Sequence, residues 1–581
     1  MTMAVLNHPT LPQPTDEVMP ASLYPALDAA VTAAQSRKDN WPAVSVSARI
    51  DLLDALIQRV VALADRWVAA SCHAKGIAPH SPVALEEWVG GPYLILQYLH
   101  LLRQSLCDIQ TCGRPRIPGP VTRRPNGQVV AQVFPQNIYD RLFYRGITAE
   151  VWLEPDVTLA NLPETQAVAY HLPNQAGKVT LVLGAGNVSC LGPTDFLYKL
   201  FIENRVVVYK SNPVTAYLDP LIAEGFAPLI ESGFLQPVSG GAAEGAYLSQ
   251  HPGIDEIHLT GSDKTFEAIV FGCGAEGAQR KANRQPLLTK PVTGELGNIS
   301  PVIIVPGPWR ETDLDYHARS LASMLTNNAG CNCLTTRVII NHAAWPQRRP
   351  LLDKTRALLS RIPPRQAYYT GAHKRYHTFI AAHPQAEQFG HSTDGQLPWT
   401  LIPDIDPTRN DICFNTEAFC SLYAETGLDA ANIPDYIDRA VEFANEKLWG
   451  TLNVTLIVHP ASLHDPAIAA AVDRAIENLR YGTVSLNQWA VVGYGLVSPT
   501  WGGFPGHDLY NIQSGIGVVH NTFMFSRPQK SVIRAPFIVT PTPVWFVNHR
   551  TGHELGPKLT RFAASPSPWQ LPSLFWSALR G

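Results

Sequence analysis

"KVTLVLGAGN" (178–187) decides the fold of this chain. Five apolar or β-branched residues run into a glycine-rich turn, which reads as a buried strand that stops at a loop. "PTDFLYKLFIEN" (193–204) carries helical spacing and "RVVVYK" (205–210) is a second strand. "LDPLIAEGFAPLIESG" (218–233) is a second helix, stopped by Gly233, and "LQPVSG" (235–240) a short strand. "AAEGAYLSQ" (242–250) is helical and "IDEIHLTGS" (254–262) is a strand running into Gly261. Strand and helix in alternation predict a parallel sheet with crossover helices. Ligands then bind in the loops at the carboxyl ends of the strands, here 184–187, 210–213 and 260–262.

A second alternating block starts at "SPVIIVPG" (300–307) and continues through "RVIIN" (337–341), "GTLNVTLIVH" (450–459) and "GTVSLN" (482–487), with helical segments between them. Residues 21–110 read as helices. Residues 113–178 are rich in loops, with strands at "GQVVAQVF" and "AEVWLE". The expected class is therefore α/β, with two domains built on parallel sheets. The tail "APFIVTPTPVWFVNHR" (535–550) has alternating β character, but its prolines confine it to an edge. "SPSPWQLPSLFWSAL" (565–579) either packs on a neighbouring subunit or covers the chain's own core.

With 581 residues, 45% hydrophobic, the chain can bury a large core. A net charge of −3 without a basic block excludes nucleic acid and anionic membrane surfaces as main partners. No apolar run is long enough to span a bilayer, and the N-terminus lacks a secretory pattern. A cytoplasmic enzyme is expected. Nine cysteines in a chain this long are not a disulfide framework. Those at 72, 107, 112, 190, 273, 413 and 420 read as core thiols. The C-x-C of Cys331 and Cys333 has no second pair at zinc spacing nearby, so no metal is expected.

Nine motifs stand in a fixed order: "GAGN" (184–187), "VVVYKSNP" (206–213), "HLTGS" (258–262), "ELGNISP" (295–301), "NNAGCNC" (327–333), "NTEAF" (415–419), "LWGTLN" (448–453), "GTVSLN" (482–487) and "SGIG" (514–517). Together they resemble the aldehyde dehydrogenase superfamily, over about 45–545, weakly before 178 and well after it. The resemblance implies a Rossmann-like NAD(P)-binding domain (21–127 and 154–294) and a catalytic domain (295–513). It also implies oligomerisation strands (128–153 and 514–550) and a homodimer or homotetramer; the sequence itself reads as a disordered lead-in over 1–20 and a C-terminal tail over 551–581.

Each residue's chemistry agrees with the role the resemblance implies. Cys333 falls where the family has its nucleophile; a free thiol with a pKa near ~8.5 supplies little thiolate unless it is activated. Cys331 replaces the family's usual Gln and is expected to be a spectator. Glu295 stands where the family has a general base for thioester hydrolysis. Asn187 would hold the oxyanion together with the Cys333 amide. Gly186 replaces the family's aromatic residue, so the pocket wall there is open or filled by something else.

Lys210 and Ser211 would reach the adenosine ribose or its phosphate, and Gly261 and Ser262 the pyrophosphate. Leu296, Glu417 and Phe419 would sit at the nicotinamide end. Many NAD-preferring members carry a Glu three residues after the Lys. Pro213 stands there in this chain, so a 2′-phosphate is not repelled, and NADP or dual use with NAD is expected. Phe266, where a second Gly is usual, would crowd the phosphates, and 271–290 is an insert. The implied activity is oxidation of an aldehyde to an acid through a thiohemiacetal and a thioester on cysteine. A CoA-acylating dehydrogenase or acyl-thioester reductase, and an inert cofactor-binding homologue, are the alternatives. Aromatic residues within 79–178 and 486–512 suggest an apolar or aromatic aldehyde.

Overall fold

The computed structural model describes residues 24–172 and 175–581. The lead-in expected over 1–20 lies outside the described residues. Two sheets carry the molecule. The smaller has six strands. Five of them are parallel, in the order Val292–Leu296, Glu256–Gly261, Val179–Leu183, Val206–Lys210, Leu235–Val238, and the short Gly515–Ile516 runs antiparallel beside Val292–Leu296. Their central strands are buried on both faces, which is why they read as continuous apolar runs.

Register brings the predicted loops to one edge. Leu183 pairs with both Lys210 and Leu259, and Gly261 pairs with Leu296. The carboxyl ends of four parallel strands thus open on the same side of the sheet, where ligand sites form in such folds. The helix Val46–Ala74 packs on this domain through Leu53, Leu56, Val60 and Leu63, all buried in its main core.

The larger sheet has eleven strands, and Ser300–Ile304 at its centre pairs in parallel with Thr336–His342 on one side and Asn453–Ile457 on the other. Thr483–Leu486 continues it and pairs in parallel with Pro528–Arg534. From there Thr148–Leu153 and Val129–Phe134 extend the sheet as an antiparallel arm. The β arm therefore grows out of the second sheet rather than standing apart from it.

Beyond Arg534 no strand follows among the described residues, so the alternating pattern at 535–550 does not produce one. Pro536, Pro541 and Pro543 remove the backbone donors that a further strand would need. The chain instead forms the helices Gly552–Ala564 and Leu571–Leu579, which close over the molecule's own surface. They are pinned by rings: Phe562 meets Tyr139 at 5.1 Å and Phe143 at 5.2 Å between centroids. Among the described residues no helix is long and apolar enough to cross a membrane.

Two smaller expectations change. Cys112 and Cys273 are exposed and Cys107 is half-buried, so these three are not core thiols. The insert at 271–290 contains a surface helix, Gly274–Ala282, tied back by Lys281 to Glu267 at 2.6 Å.

Candidate active site

The loop 327–333 leaves the helix Glu311–Thr326 and enters the strand Thr336–His342 through three successive left-handed residues: Asn328 (φ 51°), Ala329 (φ 55°) and Gly330 (φ 75°). Side chains with a Cβ resist this region, and strain of this kind persists only where the surroundings hold it. Gly330 is obligatory, because a Cβ there would collide with the Cys420 carbonyl. Arg337 supplies much of the hold. It is buried, and its guanidinium donates to the carbonyls of Cys420 (2.7 Å), Leu422 (3.1 Å) and Gly330 (2.5 Å). Burial lowers its pKa, and nearby Glu417 partly offsets this.

The loop turns its two thiols in different directions. Cys331 is buried; its Sγ faces the carbonyls of Phe419 (3.7 Å) and Ala329 (3.8 Å), and burial pushes its pKa up to about 11. Cys333 is half-buried and lines a cavity of about 1410 Å³, which Cys331 does not reach. Both thiols are free. The Cys333 carbonyl accepts from Ser300 Oγ (2.8 Å) and Asn453 Nδ2 (3.3 Å), which fixes the residue at the start of the sheet.

The Cys333 thiol donates to Glu295 Oε1 at 3.5 Å. Glu295 sits in the strand Val292–Leu296 opposite Gly515, with its carboxyl buried. Burial raises its pKa to about 7, against pulls in the other direction from the Trp501 indole and the Cys333 thiol. Burial also holds the Cys333 pKa well above the usual thiol value, and the charges of Glu295 and Glu417 add to that. The pair therefore rests as a thiol beside a carboxyl group that titrates near neutrality, with one proton transfer separating it from a thiolate beside a carboxylic acid.

Asn187 ends the turn after Val179–Leu183. Its Nδ2 donates to the Cys331 carbonyl at 3.2 Å and to Asn332 Oδ1 at 3.4 Å. Both bonds are long, so this donor can be redirected at low cost. The Asn187 carbonyl is gripped three times, by Lys75 Nζ (3.0 Å), Asn328 Nδ2 (2.9 Å) and the Tyr368 hydroxyl (2.9 Å). Lys75 also binds Glu87 (2.8 Å) and Asn328 Oδ1 (3.0 Å) in a fully buried cluster. Nothing in the motifs points to Lys75, Glu87 or Tyr368, which come from remote segments and lack local pattern; Arg337 follows the motif by four residues but reads only as part of a strand. Asn328, inside the motif, could have been found. The open wall at Gly186 is filled, because a Cβ there would meet Asn212 Oδ1 at 2.6 Å.

Lys210 is buried at the strand end, donating to the Ser211 carbonyl at 3.0 Å. Burial lowers its pKa, while Glu244 and Asp219 sustain its charge. No carboxylate stands at Pro213, but Asp219 lies close by and accepts from Ser211 (3.1 Å) and from Ser239 (2.6 Å). Gly261 is exposed at its strand end, and Ser262 caps the next helix by accepting from the Thr265 amide at 3.1 Å. Phe266 does not crowd this turn; it is buried in the core of that domain.

Leu296 is buried, its amide bonded to the Ser514 carbonyl at 2.9 Å. Glu417 lies against Gly297, where a Cβ would strike its carboxylate, so "ELG" needs its glycine. Burial raises the Glu417 pKa to about 7, opposed mainly by Arg337. Phe419, left-handed at φ 44°, packs its ring on Tyr369 at 4.9 Å.

Comparison with known proteins follows this geometry. The model of the aldehyde dehydrogenase family matches residues 182–367. The human 4-trimethylaminobutyraldehyde dehydrogenase is 32% identical over 153 residues, 26% of each chain. A coniferyl aldehyde dehydrogenase from Pseudomonas sp. (strain HR199 / DSM 7063) is 25% identical over 51% of this chain and 59% of its own. These sequence matches span about a quarter to three-fifths of the curated relatives' lengths. In structure, a Pseudomonas syringae aldehyde dehydrogenase complexed with NAD+ and octanal aligns with TM-score 0.57 at 17% identity, covering 89% of this chain and 90% of that one. An NADP-dependent glyceraldehyde-3-phosphate dehydrogenase from Bacillus halodurans, complexed with NADP, gives 0.57 at 16%, covering 89% and 92%. The resemblance anticipated from the motifs is borne out at the level of fold: the chain has the aldehyde dehydrogenase fold, and its segment 182–367 matches that family's model.

Proposed function

We propose that the protein oxidises an aldehyde to a carboxylic acid with a nicotinamide dinucleotide, through a thioester on Cys333. One observation carries the reading: a thiol lining a large cavity stands 3.5 Å from a buried carboxyl group raised to about pH 7, beside an amide donor with weak partners. Cys333 gives its proton to Glu295 and its sulfur attacks the carbonyl carbon. Asn187 Nδ2 leaves its long bonds for the oxyanion, joined by the Cys333 amide. The bound nicotinamide supplies the acceptor for the hydride leaving that carbon. Glu295, having shed its proton to solvent, then takes one from water as the water attacks the thioester; the acid departs and the thiolate is recovered.

The residues present suit such a cofactor. Glu417 Oε1 is buried with no hydrogen-bond partner among the described residues, as a group waiting for a ribose hydroxyl would be. Gly261 leaves the strand end open beneath a helix N-terminus. Asp219 and Glu244 beside Lys210 favour a ribose diol over a 2′-phosphate, so NAD is preferred to NADP. Product analysis tests the reading: purified protein, NAD and an aldehyde should yield free acid without CoA. A product that needs CoA would favour the acylating alternative. Absence of any reduced cofactor with either dinucleotide would favour an inert homologue.

A further inference from the structure

We propose, on the basis of the reading above, that the substrate is an aldehyde bearing a long apolar chain, of about ten carbons or more, housed under the C-terminal cap. The cavity that Cys333 lines measures about 1410 Å³. Pockets for small ligands run to roughly 300–1,000 Å³, so a short aldehyde would leave most of this space unfilled. Near the thiol its wall is Leu334, Trp489 and Trp545; Trp489 and Trp545 meet edge-on at 5.3 Å, and the Trp489 indole donates to the Leu334 carbonyl at 2.8 Å. Carbonyl-binding groups gather at this end, including Asn187 and Asn332.

Farther out, apolar side chains come from three places: Leu101 of the helix Leu94–Cys112, Phe143 of the helix Ile138–Phe143, and Leu559, Phe562 and Phe575 of the two C-terminal helices; the first two helices also contribute polar groups such as His100 and Asp140. The cap is fastened. Phe143 meets Phe575 at 5.7 Å, Thr551 Oγ1 donates to the Ser577 carbonyl at 2.6 Å, and Lys558 Nζ donates to Ser577 Oγ at 2.6 Å. The segment that prolines keep out of the sheet supplies Ile538 and Val544 to the same wall. Asn187 and Asn332 thus stand at the thiol end, and the remaining lining, although it includes Arg103, Asp108 and Asp140, exposes more apolar than polar surface, which suits a long apolar chain.

Each methylene buried in such a chamber strengthens binding by up to roughly fourfold. The test is a series of linear aldehydes (propanal, octanal, dodecanal and hexadecanal) assayed with NAD on the full chain. The proposal expects kcat/KM to rise at least 100-fold from propanal to dodecanal; a flat or falling series overturns it. Leu559→Trp, which fills the cap side, should cut the dodecanal-to-propanal ratio of kcat/KM at least tenfold; an unchanged ratio in a folded variant removes the cap from the substrate wall and overturns the proposal. Should no aldehyde be oxidised, the proposed function fails on its own, and binding decides the chamber. Saturable quenching of tryptophan fluorescence by 1-dodecanol but not 1-propanol, measured on Cys333→Ser, would uphold an apolar chamber, and equal indifference to both alcohols would refute it.

Discussion

The loop that carries Cys333 and the cap formed by 535–579 line the same cavity on opposite physical terms. The loop is held by hydrogen bonds: three left-handed residues, a buried arginine, and Asn328 tied to the Asn187 carbonyl that Lys75 and Tyr368 also grip. The cap is held mostly by shape, through ring contacts and a few hydroxyl bonds. Polar constraint demands particular residue types at particular spacings, whereas apolar packing tolerates many sequences of similar volume. On the proposed function, chemistry belongs to the first region and substrate choice to the second.

That contrast can be broken on the loop side with the larger effects. On the proposed mechanism Glu295 draws protons from thiol and water, so Glu295→Gln should lower steady-state turnover by about 10²–10⁴-fold; stopped-flow and steady-state rates measure it, and loss of less than tenfold would dissociate Glu295 from the reaction. Lys75→Met should destabilise the fold by about 3–5 kcal/mol, since it strands the buried Glu87 carboxylate. Adding Glu87→Gln to that variant should recover part of the loss in a denaturation experiment. Failure to recover would mean that packing, not charge, sets the cost.

Titration gives smaller effects. The folded-state pKa of Glu295, about 7, lies above its ordinary value of 4.5. The folded protein then holds the extra proton between these values, so this group's contribution falls as pH rises from about 4.5 through about 7. Glu295→Gln should therefore gain thermal stability relative to the parent at pH 8.5 and little at pH 4.5, as read by calorimetry. Turnover limited by the carboxylate form should rise through pH 7. The smallest effect is in cofactor choice: Asp219→Asn should narrow the preference for NAD over NADP several-fold, seen as a ratio of KM values.

How much of this was legible in the sequence follows the same division. The parallel sheet around 178–262 was readable because strands buried on both faces appear as unbroken β-branched runs. Cys333, Glu295 and Asn187 were found by motif, and the fold brings them to one cavity or into contact. Lys75 was invisible: a lysine near a helix end reads as solvated surface, and only folding pairs it with Glu87 and the Asn187 carbonyl. Asp219 was not legible because the resemblance points to the position three residues after Lys210, whereas this carboxylate reaches Ser211 from the start of the next helix. Phe266 was misplaced because a residue's neighbour in sequence says nothing of which side of a helix it occupies; this one faces the core. At 535–550 the alternating pattern was real, but the prolines left too few donors for a ladder.

On the proposed function, sulfur 333, and not sulfur 331, forms the bond to carbon. Mixing the protein with NAD and dodecanal, quenching with acid in the first turnover and mapping the acylated peptide by mass spectrometry tests it directly. An acyl adduct is expected on Cys333; it should survive in Cys331→Ala and vanish, together with the burst of reduced cofactor, in Cys333→Ala. An adduct on Cys331, or a burst that persists without Cys333, would contradict it.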